Sequence, residues 1–476
     1  MLKIIREISL KRGNMEDLKC ENPLGYESVP RLMTRFAIPS IIAMIVGALY
    51  NIIDQFFIGQ KVGTLGNAAT NIAFPLSTSC LAVALMFGIG GASCFNLSMG
   101  KGDKKTAPYY MGNSLVMLTI FGVIMCLVSE IFLTPMLKLF GAPGDVLPFA
   151  KEYVSITAIG FPFQLLITGG GHLMRADGSP RMTMFCNLMG AVINTILDAI
   201  FVLEFEWGMK GAALATVIGQ VISATFVIIY MTRTKTVRLR LKHLRLQLKY
   251  VSKIMSIGMG SFCNQIAMML VQIVLNNSLK YYGAMSIYGS SVPIASSGIV
   301  MKVSQLSLST IIGISQGSQP IESYNYGAGK YHRVKEAYRF ALYLAGIVSV
   351  VSFLTFQLVP RQILGLFGDG TEEYFTFGVK YFRIYLFFTW LNFLQPVTTT
   401  LFTSIGKSIK GVFLSLTRQI IFLLPLIAIF PQISGIDGLL YAGPVADILA
   451  AIVAMAMAAR EFNKMRKKEV IKNVIN

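Results

Sequence analysis

The sequence predicts an all-α polytopic membrane protein: twelve transmembrane helices in two six-helix lobes, a 6+6 repeat. Three observations carry this prediction: apolar runs of membrane-spanning length, basic residues confined to alternate connections, and short motifs that recur at one fixed offset. Hydrophobic residues make up 54% of the 476 and charged residues only 14%, too little polar surface to cover a soluble core of this size. Runs of about 20 apolar residues, enough to cross about 30 Å of hydrocarbon as helix, follow one another along the chain.

The spans fall at about 33–59, 66–98, 107–133, 148–173, 180–203, 210–232, 251–279, 285–318, 336–359, 374–404, 408–430 and 436–459. They divide the chain into an N-terminal segment (1–32), an N-lobe (33–232), a basic linker (233–250), a C-lobe (251–459) and a tail (460–476). One set of connections holds Lys101, Lys104 and Lys105, then Arg175 and Arg181, the linker, Lys330, Arg333 and Lys335, and Lys407 and Lys410. The tail adds Arg460, Lys464, Arg466, Lys467 and Lys468, whereas the opposite set has single cations at Lys61, Lys138, Lys210, Lys280 and Arg361. By the positive-inside rule both termini and the linker are expected in the cytoplasm of a multi-pass inner-membrane protein. This topology accounts for the net charge of +19 without a nucleic-acid partner. Residues 1–14 lack the apolar core and cleavage site of a signal peptide, and Met15 is a candidate start.

The repeat is explicit. Leu139-Phe140-Gly141 returns as Leu366-Phe367-Gly368, Met99-Gly100-Lys101-Gly102 lines up with Tyr326-Gly327-Ala328-Gly329, and Gly211 matches Gly438, all at an offset of 227 residues. Halves related in this way normally frame a central cleft and alternate access by rocking. A channel or membrane enzyme does not require such symmetry, and no clustered nucleophile, base or metal set is found, so no enzyme activity is expected.

Ionisable groups inside hydrocarbon are functional-site candidates by default. Asp54 in the first span and Asp198 in the fifth lie about 7–9 Å below the same membrane face, as do Thr216 and Asn71. Asn194 is one turn from Asp198 and shares its face. Two carboxylates, two amides and a hydroxyl form an oxygen-rich site for H+ or Na+, and no other cofactor is called for. Asp447 is deeper, with Gln220 as its repeat counterpart, and suits a structural hydrogen bond as well as a function. Pro39 removes a backbone donor within the first span and marks a helix bend. His172 reads as a satisfied packing residue, and the six cysteines read as packing residues without ligand spacing. Ile405-Gly406-Lys407-Ser408 ends like a phosphate-binding loop but has Leu401 where the first glycine belongs, so energy is expected from an ion gradient.

Gln319-Pro320-Ile321-Glu322-Ser323-Tyr324-Asn325-Tyr326-Gly327-Ala328-Gly329 resembles the eighth-span signature of the multidrug and toxic compound extrusion (MATE) family. Arg175-Ala176-Asp177-Gly178-Ser179-Pro180-Arg181, Asn194-Thr195-Ile196-Leu197-Asp198 and Gly211-Ala212-Ala213-Leu214-Ala215-Thr216 resemble its fourth-to-fifth loop, fifth-span acid motif and sixth-span start. The resemblance covers residues 30–460 and points to a MepA-like branch. It implies a monomeric secondary active exporter of small, cationic amphiphilic organic compounds, antiporting H+ or Na+ across a bacterial or archaeal cytoplasmic membrane. It places Asp54, Asn194, Asp198 and Thr216 on the N-lobe cation site and Pro39 on the first-helix bend. Where one branch carries C-lobe acids, this sequence offers Asn264, Gln265, Asn392 and Gln395; with Met268, the last three are candidates for the substrate wall. The alternative is a lipid-linked oligosaccharide flippase of the same superfamily. Such a flippase usually carries a strongly cationic cavity, whereas here basic residues stay largely at the cytoplasmic edges, with Lys302, Lys380 and Arg383 as exceptions.

Overall fold

A computed structural model describes residues 22–142, 144–289, 291–366 and 371–475. Among these residues there is no β-strand, and the membrane-spanning helices follow one another in chain order. The first six are α1 (Val29–Lys61), α2 (Thr64–Gly100), α3 (Ala107–Ile131), α4 (Leu147–Ala176), α5 (Pro180–Glu204) and α6 (Gly208–Thr232). The second six are α7 (Leu248–Ala284), α8 (Ser291–Gly327), α9 (Tyr331–Leu358), α10 (372–404), α11 (408–433) and α12 (436–475). Several depart from a simple rod. α10 is interrupted between Tyr385 and Leu394, and the long helical run after Ser408 turns back at Ser434 and Gly435, where Gly435 adopts φ 60°.

Helices joined by short connections must satisfy all backbone groups internally when they cross lipid, and the repeated glycines set how the turns are made. Gly102 (φ 79°) and Gly329 (φ 72°) end α2 and α8 in the left-handed conformation that suits a residue without Cβ. Gly211 and Gly438 do matching work at the starts of α6 and α12. A Cβ on either would stand 3.0 Å from the Phe201 carbonyl oxygen or 2.3 Å from that of Phe430. The recurrence at 227 residues therefore preserves turns and close approaches, not side-chain chemistry. The copy at Leu366-Phe367-Gly368 lies partly outside the described residues.

Three buried clusters organise the packing. One runs from Ile58 through α2–α6 to Ile257 of α7. A second gathers the start of α1 (Leu32, Met33, Phe36) with the basic-loop halves of α8–α12, and a third fills the opposite halves of α7–α12. Each lobe thus lends a helix to the other: α7 packs along α2, and α1 along α8. In lipid such contacts rest on close packing of small residues. A Cβ on Gly258 would sit 1.8 Å from the Met86 carbonyl oxygen, on Gly90 2.1 Å from that of Ile254, and on Gly100 2.0 Å from that of Tyr324. All of these contacts fall in the half of the molecule that carries the basic loops, where Gln319 also donates to Ser93 Oγ (3.0 Å). The lobes are sealed there, backbone against backbone.

Candidate functional site

α1, α5 and α6 pack on one another in the N-lobe, and this brings four of the five sequence-predicted polar residues together. Asp54 (7% exposed), Asp198 (0%), Asn194 and Thr216 are all buried. Asn194 Nδ2 donates to Thr216 Oγ1 at 3.3 Å. The Asp54 and Asp198 carboxyls lie side by side, with Tyr50 of α1 and Tyr153 of α4 facing them. Asp54 Oδ1 and both Asp198 oxygens find no hydrogen-bond donor. Asn71 stands apart, exposed on α2.

The local backbone explains how Asp198 is aimed. It is the last α-helical residue of α5 before the chain widens into a π-helical turn over Ala199–Glu204. Such turns are unstable intrusions into a helix and cluster at functional sites. Pro39 lies fifteen residues before Asp54, within an α1 that runs unbroken from Val29 to Lys61. Two carboxyls this close in a dry interior cannot both be ionised unless a cation joins them. Chemically the pair can take up a proton or a small hard cation and give it back.

The C-lobe has a different centre. Arg418 Nε donates to Asp447 Oδ1 at 2.6 Å, and the Asn392 amide nitrogen, turned toward the carboxylate, donates to both Asp447 oxygens at 2.8 and 3.1 Å. Arg418 too lies in a π-helical turn, Thr417–Leu423 of α11. Of the residues expected on a substrate wall, Asn392 is held by this ion pair, and Gln395 donates to the Leu414 carbonyl (3.0 Å). Gln265 and Met268 are half-buried on α7, where Asn264 Nδ2 lies 3.7 Å from Met268 Sδ.

Sequence reasoning passed over four residues. Arg418, in the middle of the span 408–430, is an intramembrane charge that the rule applied to Asp54 would have found. Tyr50 and Tyr153 look like ordinary helix aromatics. Glu322, inside the eighth-span motif, is fully buried on α8; neither oxygen has a hydrogen-bond donor, and the Ser318 and Ser404 side chains face it. It escaped because the eighth span was drawn to 318, whereas α8 continues to Gly327 and so encloses it. His172 is buried beside Arg175 and Gln319, but its Nδ1 has no partner, so it is packed without being fully satisfied.

The MatE family profile matches residues 39–200 and again 259–429, one match in each lobe. The chain belongs to the MatE family. It is therefore a multi-pass membrane transporter, and the two matches correspond to the two halves of the MATE repeat. The multidrug export protein MepA of Staphylococcus aureus (strain MSSA476) is 26% identical over 443 residues, covering 92% of this chain and 96% of that protein. MepA of Staphylococcus saprophyticus is 25% identical, covering 90% and 93%. Among solved structures, a MOP superfamily transporter from Pyrococcus furiosus superposes with a TM-score of 0.87 at 22% identity, covering 93% of this chain and 98% of that one. An outward-facing MATE family multidrug resistance transporter gives 0.86 at 22% identity, covering 93% and 99%. These superpositions establish the shared two-lobe MATE fold.

Proposed function

We propose that this MATE protein exports small, cationic amphiphilic organic compounds in exchange for H+ or Na+, with ion coupling in the N-lobe and substrate handled between the lobes. One observation carries the reading: Asp54 and Asp198 are buried side by side with donor-less oxygens, next to Asn194 and Thr216. Carrying two bare charges there would cost several kcal/mol, so ion uptake stabilises the arrangement and its release destabilises it. The S. aureus and S. saprophyticus relatives, both called multidrug export proteins, support the choice of cargo.

Orientation follows from charge. With the basic loops in the cytoplasm, the glycine-lined seal lies on the cytoplasmic side. Asp54 and Asp198 then sit near the outer face, where an external ion reaches them first. Loading the acids from outside and rocking the lobes to release the ion inside couples the gradient to export.

The test is dye efflux from proteoliposomes under an imposed pH or Na+ gradient. Gradient-driven export is expected in the unmodified chain and is expected to disappear in Asp54→Asn and in Asp198→Asn. Whichever gradient drives the unmodified chain identifies the ion. Unchanged export in both variants overturns N-lobe coupling.

A further inference from the structure

We infer that the linker between the lobes is a binding site for anionic phospholipid in the leaflet at the basic end of the molecule. From 233 to 249 the chain holds Arg233, Lys235, Arg238, Arg240, Lys242, Arg245 and Lys249 and no acidic residue. A basic run is ordinarily a solvated face, but this one is interleaved with leucines that the fold turns outward. Leu241 is 84% exposed, Leu248 83% and Leu246 49%.

The segment is not a slack tether. At its start, the Asp177 carboxylate accepts the backbone N–H groups of Lys235 (2.7 Å) and Thr236 (2.9 Å), together with the Thr236 hydroxyl and the Tyr230 phenol. At its end, Asn113 of α3 donates to the carbonyls of His243 and Arg245 (3.3 Å each) and accepts the Gln247 N–H at 2.9 Å. Gly112 lets the strap lie flat, since a Cβ there would stand 2.3 Å from the His243 carbonyl oxygen. Val237, His243 and Tyr250 turn inward and are buried.

A strap nailed down at both ends keeps its outward face fixed. That face presents cations and large aliphatic side chains together, beside the ends of helices that cross the bilayer. Phospholipid supplies both complements: phosphate for the Lys and Arg groups, and the acyl boundary for the leucines. Juxtamembrane clusters of this size are drawn to anionic leaflets, and apolar side chains interspersed with them insert at the headgroup boundary. A soluble anion satisfies only the charges and leaves three leucines in water.

The test uses the full chain carrying Leu246→Cys, labelled with an environment-sensitive fluorophore, with the identically treated unsubstituted chain as background. It is reconstituted in phosphatidylcholine vesicles with or without phosphatidylglycerol. Quenching by spin-labelled lipid is expected to be strong with phosphatidylglycerol and weak without it. In the same protein, Arg238→Gln, Arg240→Gln, Lys242→Gln and Arg245→Gln combined are expected to lower retained phosphatidylglycerol about tenfold by native mass spectrometry. A label open to aqueous iodide in both vesicle types overturns the inference and assigns the strap to a soluble acidic partner. Unchanged retention in the combined variant overturns it equally.

Discussion

The polar centres of the two lobes are built on one plan and charged on two. In each, a π-helical turn in the lobe's fifth helix interrupts the regular hydrogen-bond ladder beside an ionisable group, buried Asp198 in the N-lobe and half-buried Arg418 in the C-lobe. Among the described residues the two N-lobe carboxyls form no ion pair, whereas the C-lobe carboxylate is already joined to an arginine and an amide. Duplication supplied the frame, and the charge content then diverged. A centre with unmatched acids changes state when an ion arrives. A centre whose charges are already matched holds its helices together.

That contrast can be broken most sharply by removing one acid from each lobe. Asp198→Asn is expected to eliminate gradient-driven export while leaving thermal stability near that of the unmodified chain, because a neutral amide replaces a group under no attractive tie. Asp447→Asn is expected to do the reverse. It strands the Arg418 charge and destabilises by about 3–5 kcal/mol, visible as a lowered unfolding midpoint in detergent, with coupling retained in the molecules that remain folded. Equal loss of coupling in both variants sinks the division of labour.

A smaller effect is expected at the seal. Gly258→Ala places a methyl 1.8 Å from the Met86 carbonyl oxygen, so α2 and α7 must separate and the closed arrangement loses population. Accessibility of a cysteine introduced at Ala92 to a water-soluble thiol reagent from the basic side measures this, and increased labelling is the expected outcome.

The smallest effect concerns pH at the linker. His243 is buried against α3, and its Nδ1 accepts the Arg240 N–H at 3.1 Å. Burial, with Lys242 and Arg240 beside it, holds its pKa below the usual 6.5. Above pH 6.5 the imidazole is neutral whether the strap is docked or released, so docking is at full strength. As pH falls below 6.5 the released strap takes up a proton that the docked strap resists, and docking weakens. Amide exchange in 237–247 is expected to rise on acidification and to stay flat in His243→Gln.

Much of this was legible from residue order. The spans follow from apolar length, the two lobes from repeated turns at one offset, and the association of Asp54 with Asp198 and Thr216 from equal depth on helices that end at the same face. Depth alone does not say which way a helix is rotated, and Asn71, at matching depth, turned out to be exposed. Rotation also decides the fate of Asn392 and Gln395, which bind neighbouring helices. Arg418 and Asp447 are 29 residues apart on different helices, and no local pattern pairs them. Glu322 was obscured by polar neighbours that made its segment look like a helix end.

The seal between the lobes has a consequence for how the protein moves. Among the described residues no ion pair joins one lobe to the other. Parting them there breaks van der Waals contact along bare backbone, the Gln319 hydrogen bonds to α2 and, where the chain enters α1, the hydrogen bonds that Lys330 and Arg333 donate to the carbonyls of Leu24, Gly25 and Glu27. It is a joint of close fit, with its charged donors gathered at the entry to α1. Opening it therefore has to free the chain ahead of α1 from Lys330 and Arg333 as well as part the backbone seam.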